Sequence, residues 1–351
     1  MKQLASIAYV IDPRLPGGTS SAVAAELRAI ADLAAVRVHA LETRMFHART
    51  IAPQIARALD DLRMDLIWDA PVISADLVVF HNPSVLKFQK DLGCRIVTRH
   101  LIVVAHENFL RPGEHLSFDV AGCLRQLDRA TLSPRKTIAP VSAHNRQTVL
   151  GWLAAQPSTH PWQALAQDWF NICDFACVAP TDAPADRRGR HSRPGAEKFP
   201  NLHDMDLCFP AHARTNIILG ADTYLATGLD RPHWSLYPFR GLEVDDYFSR
   251  FDFMVYFTAP VWRESFGRVL AEAVAAGKVV ISDPDTAASF DGAVLGATPA
   301  GVDAIIQRFV DRPKLYRDHV GVAQTRLDRF SATAFRTRLG QVLRPVTGVD
   351  A

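Results

Sequence analysis

The sequence predicts an α/β protein built from two doubly wound domains, and three observations point there. The chain has 351 residues, more than one ordinary domain holds. Short apolar runs alternate with amphipathic stretches, the pattern of a parallel sheet covered by helices. That alternation occurs twice, interrupted by a polar, proline-bearing segment between Ala155 and Pro200.

In the first array the strand candidates are Leu4–Asp12, Val36–Leu41, Leu66–Asp69, Leu77–Phe80, His100–Ala105 and Thr137–Val141. Helix candidates between them are Ser20–Leu33, Pro53–Arg63, Val85–Leu92, Asp119–Ala130 and His144–Ala154. Gln156-Pro157-Ser158 reads as a linker, and the basic stretch Arg187–Arg193 as part of a loop-rich entry into the second domain. The second array follows with strands Thr215–Gly220, Trp234–Phe239, Phe253–Thr258 and Val279–Ser282, around helices Val244–Arg250 and Gly267–Ala276. From Val302 the chain reads helical and ends in Ala332–Leu343. The expected domains are 1–155 and 156–330, followed by a helical segment, 331–351. Arrays of this kind bind ligands at the carboxyl ends of their strands.

Composition narrows the function classes. Hydrophobic residues at 48% and charged residues at 22% describe a globular protein with full cores. A net charge of +2 gives no reason to expect nucleic acid as a partner. The first 155 residues hold 18 Lys+Arg against 14 Asp+Glu, an excess that fits weak attraction to an anionic membrane face and equally fits ordinary scatter. Five unpatterned cysteines read as the reduced thiols of a cytoplasmic protein. Cys173 and Cys177 have no second Cys/His pair at zinc-site spacing, so no metal is expected. No apolar stretch reaches membrane-spanning length.

The most informative stretch is Glu264 to Gly277, which follows the apolar run VYFTA and opens a helix that Gly277 can cap. Ser265, Phe266 and Gly267 place backbone N–H groups at a helix N-terminus, where phosphates bind. Gly267 has no side chain to hold a ligand away. Glu272 lies on the order of 7 Å further along the helix, at about 1.5 Å per residue. Carboxylates flanking a diphosphate suit the hydroxyl pairs of a sugar and a ribose. Arg263 and Arg268 flank the motif, as phosphate ligands or as solvent-facing charges. No Asp-x-Asp pair stands in a metal-binding context, and no G-x-G-x-x-G follows either first strand, which disfavours a dehydrogenase.

The same stretch, ESFGRVLAEAVAAG, resembles the Glu-x7-Glu motif E-G-F-G-x-x-x-x-E-A-x-A-x-G of the retaining GT-B glycosyltransferases often called family 4. The resemblance implies two Rossmann-like domains facing across a cleft, acceptor on the first and donor on the second. It implies that Glu264 contacts the donor sugar, that Phe266 and Gly267 present amides near sugar and phosphate, and that Glu272 binds the ribose. Gly17-Gly18, after the first strand, resembles the loop that faces the diphosphate. Gly189-Arg190 and Lys198 resemble the Gly-Arg and Lys that neutralise the phosphates, with Arg193 an alternative because the spacing is wide. His106 resembles the family's histidine near the reacting sugar, with His81 as the alternative. FSATAFRTRLGQVL resembles the last helix that crosses back to the first domain.

What the resemblance implies is a metal-independent hexosyltransferase without cofactor. It would move a sugar from a nucleoside diphosphate to a carbohydrate or lipid-linked hydroxyl, in polysaccharide or glycolipid assembly. The expected location is the cytoplasm or the inner face of the membrane, with peripheral association. A nucleotide-sugar epimerase, a phosphorylase and a non-catalytic subunit of the same fold remain the alternatives.

Overall fold

The structure, a computed structural model, describes residues 5–347. Leu4, expected to begin the first strand, and residues 348–351 of the last helical segment lie outside the described residues. The chain forms two compact units, residues 1–172 with 330–351, and residues 173–329.

The first unit contains β1 (Ser6–Ile11), α1 (Gly18–Ile30), β2 (Ala35–Ala40), α2 (Pro53–Leu62), β3 (Leu66–Ile67), β4 (Val72–His81), β5 (Arg95–Ala105), α3 (Val120–Ala130), β6 (Thr131–Leu132), β7 (Arg135–Pro140), α4 (Ala143–Ala154) and β8 (Gln163–Ala164). Its strands run β3-β2-β1-β4-β5-β7-β8 in space, with β6 on β5, and every pairing is parallel. Strand order reverses between β1 and β4, the place where such sheets bind ligands. Ile7 is in register with Leu77 and Val10 with Phe80, so the ends of β1 and β4 finish side by side.

β5 shows why the strands form. Its first half alternates exposed Arg95, Val97 and Arg99 with buried Ile96, Thr98 and His100, and its second half is buried throughout. One face of the early half meets solvent; the later half is covered on both faces. Asp119 and Ser142 cap α3 and α4 by accepting from Gly122 and Asn145. Val85–Leu92, expected as a helix, forms only the single 3-10 turn Pro83–Leu86. Asn82 precedes that turn with φ of 61°, in the left-handed region, so the backbone turns sharply where β4 ends.

The unit boundary falls at 172/173 rather than at 155/156. The intervening segment belongs to the first sheet, because Thr137 and Ile138 pair with Gln163 and Ala164 and Trp169 bonds to Glu26 on α1. The chain also returns to this unit at its end, through a helix over Ala332–Thr347. There Arg336 pairs with Asp32 at 2.6 Å and Phe335 packs edge-on against Trp169.

The second unit contains β9 (Arg187–His191), α5 (Leu202–Cys208), β10 (Thr215–Leu219), α6 (Asp222–Thr227), β11 (Ser235–Tyr237), α7 (Val244–Ser249), β12 (Phe253–Tyr256), α8 (Arg268–Ala275), β13 (Val279–Ser282), α9 (Pro284–Ala288), β14 (Val294–Gly296), α10 (Val302–Val310) and α11 (Pro313–Arg326); the returning helix is α12. Its sheet is parallel in the order β11-β10-β9-β12-β13-β14, reversing between β9 and β12.

The basic stretch expected as loop is therefore β9, the strand at the reversal. Charge hid it. Arg188 is buried and satisfied by Asp186 and Asp303, each at 2.6 Å. Arg187 pairs with Asp252 at 2.8 Å. Gly189 has to be small because a Cβ there would stand 2.3 Å from Phe251. Among the described residues no helix is long and apolar enough to cross a membrane.

Candidate active site

In the second unit, the carboxyl ends of β9 and β12 gather the charged residues. Tyr256 ends β12, and its hydroxyl donates to Glu264 Oε1 at 2.5 Å. Lys198, on the connection after β9, donates to the same oxygen at 2.5 Å. The Lys198 and Glu264 side chains are 10% and 14% exposed, so the pair is largely desolvated. Burial alone would raise the Glu264 carboxyl, but Lys198 and Tyr256 act against it and hold the group below its ordinary value. Glu264 is thus an ionised carboxylate with Oε1 doubly bound.

Beneath this pair lies Arg190, fully buried. Its guanidinium sits 4.4 Å from the Phe199 ring and 4.6 Å from the Tyr256 ring and donates to the Lys198 carbonyl. Burial pushes it below its ordinary value. Arg190, expected to neutralise phosphate, braces the backbone of Lys198 and the ring of Tyr256, while its Nε and Nη1 have no hydrogen-bond partner among the described residues. Arg193 is the accessible cation of this connection, half exposed and paired with Glu197 at 2.7 Å.

α8 begins after Gly267, which stands in the left-handed region with φ of 85°. A Cβ there would also press on Leu270 at 3.1 Å, so geometry and space both call for glycine. Ser265 is half-buried, whereas the Phe266 side chain is core, its ring 5.7 Å from Phe290. Arg268 lies over the Phe175 ring at 4.7 Å. Glu272 is half-buried on α8, its carboxyl raised by burial and partly drawn back by Arg268 one turn earlier. Arg263 pairs with Asp283 at 3.2 Å and Asp285 at 3.4 Å and donates to the Trp262 carbonyl.

In the first unit, Gly17 with φ of 87° starts α1, and Gly18 is its first residue. The loop before them is pinned by a buried pair, Asp12–Arg14 at 2.8 Å, with Thr43 donating to Asp12 at 2.6 Å. His81 ends β4 and His106 directly follows β5. Both expected candidates are present together, their rings joined through His81 Nδ1 and His106 Nε2 at 2.9 Å. Behind His81, Glu26 of α1 is fully buried. Neither Glu26 nor Tyr256 was legible as a site residue: one looks like a helix-surface acid, the other like a core aromatic.

Asp186, His212 and Asp303 stand close enough to resemble a metal site, but the Arg188 cation already binds both carboxylates there.

No family model and no curated protein matches the sequence. Solved structures match it in shape. The crystal structure of Anabaena HepE in complex with UDP-glucose aligns with a TM-score of 0.66 at 14% identity, over 97% of this chain and 100% of that one. The lipopolysaccharide outer core galactosyltransferase WaaB aligns with a TM-score of 0.55 at 12% identity, over 96% and 99%. The fold is GT-B. A third GT-B match is an α-glucosyltransferase in complex with UDP and a 13-mer DNA, with a TM-score of 0.55 at 10% identity over 98% and 100%. At these identities the likeness is one of fold.

Proposed function

We propose that this protein transfers a glycosyl group from a nucleoside diphosphate sugar to a hydroxyl acceptor, with retention of anomeric configuration. The observation that carries the reading is the Lys198–Glu264–Tyr256 cluster at the strand ends beside α8. It sets a cation, a held carboxylate and a helix N-terminus together, the complement of a diphosphate bearing a sugar. HepE binds UDP-glucose in the same fold, which makes a uridine diphosphate sugar the first donor to try.

In this reading Lys198 and Arg193 meet the phosphates, with the amides of Ser265, Phe266 and Gly267. Glu264 keeps Oε2 for sugar hydroxyls, and Glu272 takes the ribose. As the acceptor oxygen bonds to the anomeric carbon, the bond to phosphate breaks on the same face and the acceptor proton passes to the departing phosphate. Electrostatic stabilisation of that oxygen is the main catalytic demand. The acceptor is a carbohydrate or lipid-linked sugar of polysaccharide or glycolipid assembly, met in the cytoplasm or at the membrane's inner face.

The deciding experiment is a thermal-shift panel with UDP, GDP, ADP and CMP, since a ligand of the folded state raises stability by mass action. One nucleoside diphosphate is expected to raise Tm, and Glu272→Ala to lose about 1–3 kcal/mol of its affinity by calorimetry. Wild-type affinity in a folded Glu272→Ala variant would remove the ribose assignment.

The same charges support metal-independent transfer. Lys198 and Arg193 supply the cations, while the closely spaced acids Asp283 and Asp285 are engaged by Arg263. Turnover is expected to survive EDTA. Loss on chelation with recovery on adding Mg²⁺ or Mn²⁺ would contradict it.

A further inference from the structure

We infer that Glu26 and His81 are positioning residues that fix His106 as an imidazole with its lone pair on Nδ1; the use made of that lone pair rests on the glycosyl-transfer reading. Glu26 Oε2 accepts from Tyr9 Oη at 3.0 Å and from Trp169 Nε1 at 3.0 Å. An indole N–H can only donate. Oε2 therefore accepts two hydrogen bonds whether Glu26 is ionised or neutral, and because a carbonyl oxygen accepts more strongly than a carboxyl O–H, a carboxyl proton sits on Oε1.

His81 Nε2 stands 3.5 Å from that same Oε2. At this distance the contact is electrostatic rather than a short hydrogen bond, yet its sign is fixed. A ring lone pair aimed at oxygen lone pairs is repelled, so Nε2 carries the proton. A neutral imidazole with its proton on Nε2 has its lone pair on Nδ1. That Nδ1 lies 2.9 Å from His106 Nε2, and a bond between the two nitrogens needs one proton. His106 has to supply it, from Nε2. Its own lone pair is left on Nδ1.

The chain is held rigidly enough for this to persist. The His81 ring stacks on Tyr9 at 5.1 Å and on His106 at 5.2 Å, and turning it over would put a ring carbon in place of Nδ1 opposite His106. Burial pushes both imidazoles down, His106 to about 3, and His81 is lowered further by His106 beside it. Tyr9, Glu26 and His81 are buried, whereas His106 is only half-buried at the end of β5. A neutral ring with an Nδ1 lone pair accepts a hydrogen bond from a hydroxyl and has nothing to offer a phosphate oxygen. His106 is thereby assigned to a hydroxyl of the sugar or acceptor.

The test is NMR on the full-length protein with ¹⁵N-labelled histidine at neutral pH, with His106→Gln and His81→Phe used for assignment. The proton in the bond between the two rings is expected to show one-bond coupling to His106 Nε2, with His81 Nδ1 as acceptor. The proton on His81 Nδ1 would overturn the inference. Glu26→Gln retains an acceptor oxygen in front of Tyr9 and Trp169, so the pattern is expected to stay. Glu26→Met removes that acceptor, and the proton is expected to distribute between the two rings. A folded Glu26→Met protein with the wild-type pattern would also overturn the inference. If Glu26→Met does not fold, the wild-type proton position still decides. The spectra need no turnover: a wild-type protein inactive on every nucleotide sugar but with the proton on His106 refutes the glycosyl-transfer reading alone.

Discussion

Lys198→Met is expected to melt well below the wild type and to lose about 10²–10³-fold in turnover. Two effects combine. The substitution leaves Glu264, 14% exposed, without its cation, and removing one partner of a buried pair costs about 3–5 kcal/mol. In the glycosyl-transfer reading it also removes the charge that meets the leaving phosphate, where a single preorganised group is worth about 10²–10³ in kcat. The double variant Lys198→Met/Glu264→Gln separates them, because it leaves no unpaired charge. Its stability is expected to recover while its turnover does not. A single variant with wild-type melting would mean that the pair is not desolvated. A double variant that regains turnover would mean that Lys198 serves only to hold Glu264.

Glu26→Gln is expected to stabilise the protein, and by more the higher the pH. Burial raises the Glu26 carboxyl from 4.5 to about 8, with Trp169 and Tyr9 pulling only weakly the other way. A group whose folded value is raised contributes its stability fully below the unfolded value. That contribution is lost as pH rises through the folded one. Between about 4.5 and 8 the unfolded chain releases a proton that the folded chain retains, a slope approaching about 1.4 kcal/mol per pH unit. Glutamine has no proton to release and keeps an oxygen for the Tyr9 and Trp169 donors. Denaturant unfolding of both proteins at pH 5, 6, 7 and 8 is expected to show a gap that widens steadily. A constant gap would place Glu26 at its ordinary value. The groups facing this carboxyl are Tyr9, His81 and Trp169, and burial keeps the first two from changing charge in this range.

The sequence by itself determined the α/β class, the two successive arrays and the positions of most strands and helices. Those are local matters: alternation of apolar residues along β5, a proline opening α2, glycines at the ends of α8. Val279–Ser282 was readable to the residue because a strand buried on both faces is a plain apolar run between breakers. The Glu264–Glu272 block was readable for the same reason, since strand, glycine and helix follow one another between Phe253 and Ala275. β9 was not. Four arginines in seven positions read as a solvated loop, and only partners far along the chain, Asp252 and Asp303, make burial of such a strand tolerable. The end of the first unit was equally hidden, because Gln163 and Ala164 are held by pairing with β7 and Trp169 by a carboxylate more than a hundred residues earlier.

The tertiary structure alone decided which charges act together. The family resemblance suggested Arg190 and Lys198 as phosphate ligands, with Arg193 as the alternative. Burial separates the first two, placing one between two aromatic rings and the other on Glu264. Position at a strand end offered His81 and His106 as alternatives, and the parallel register of β4 and β5 makes them neighbours. The physical reason is common to all these cases. Periodicity reports whether a residue faces a core, but the cost of burying a charge is set by the partner it meets there, and that partner is supplied by topology rather than by adjacent sequence.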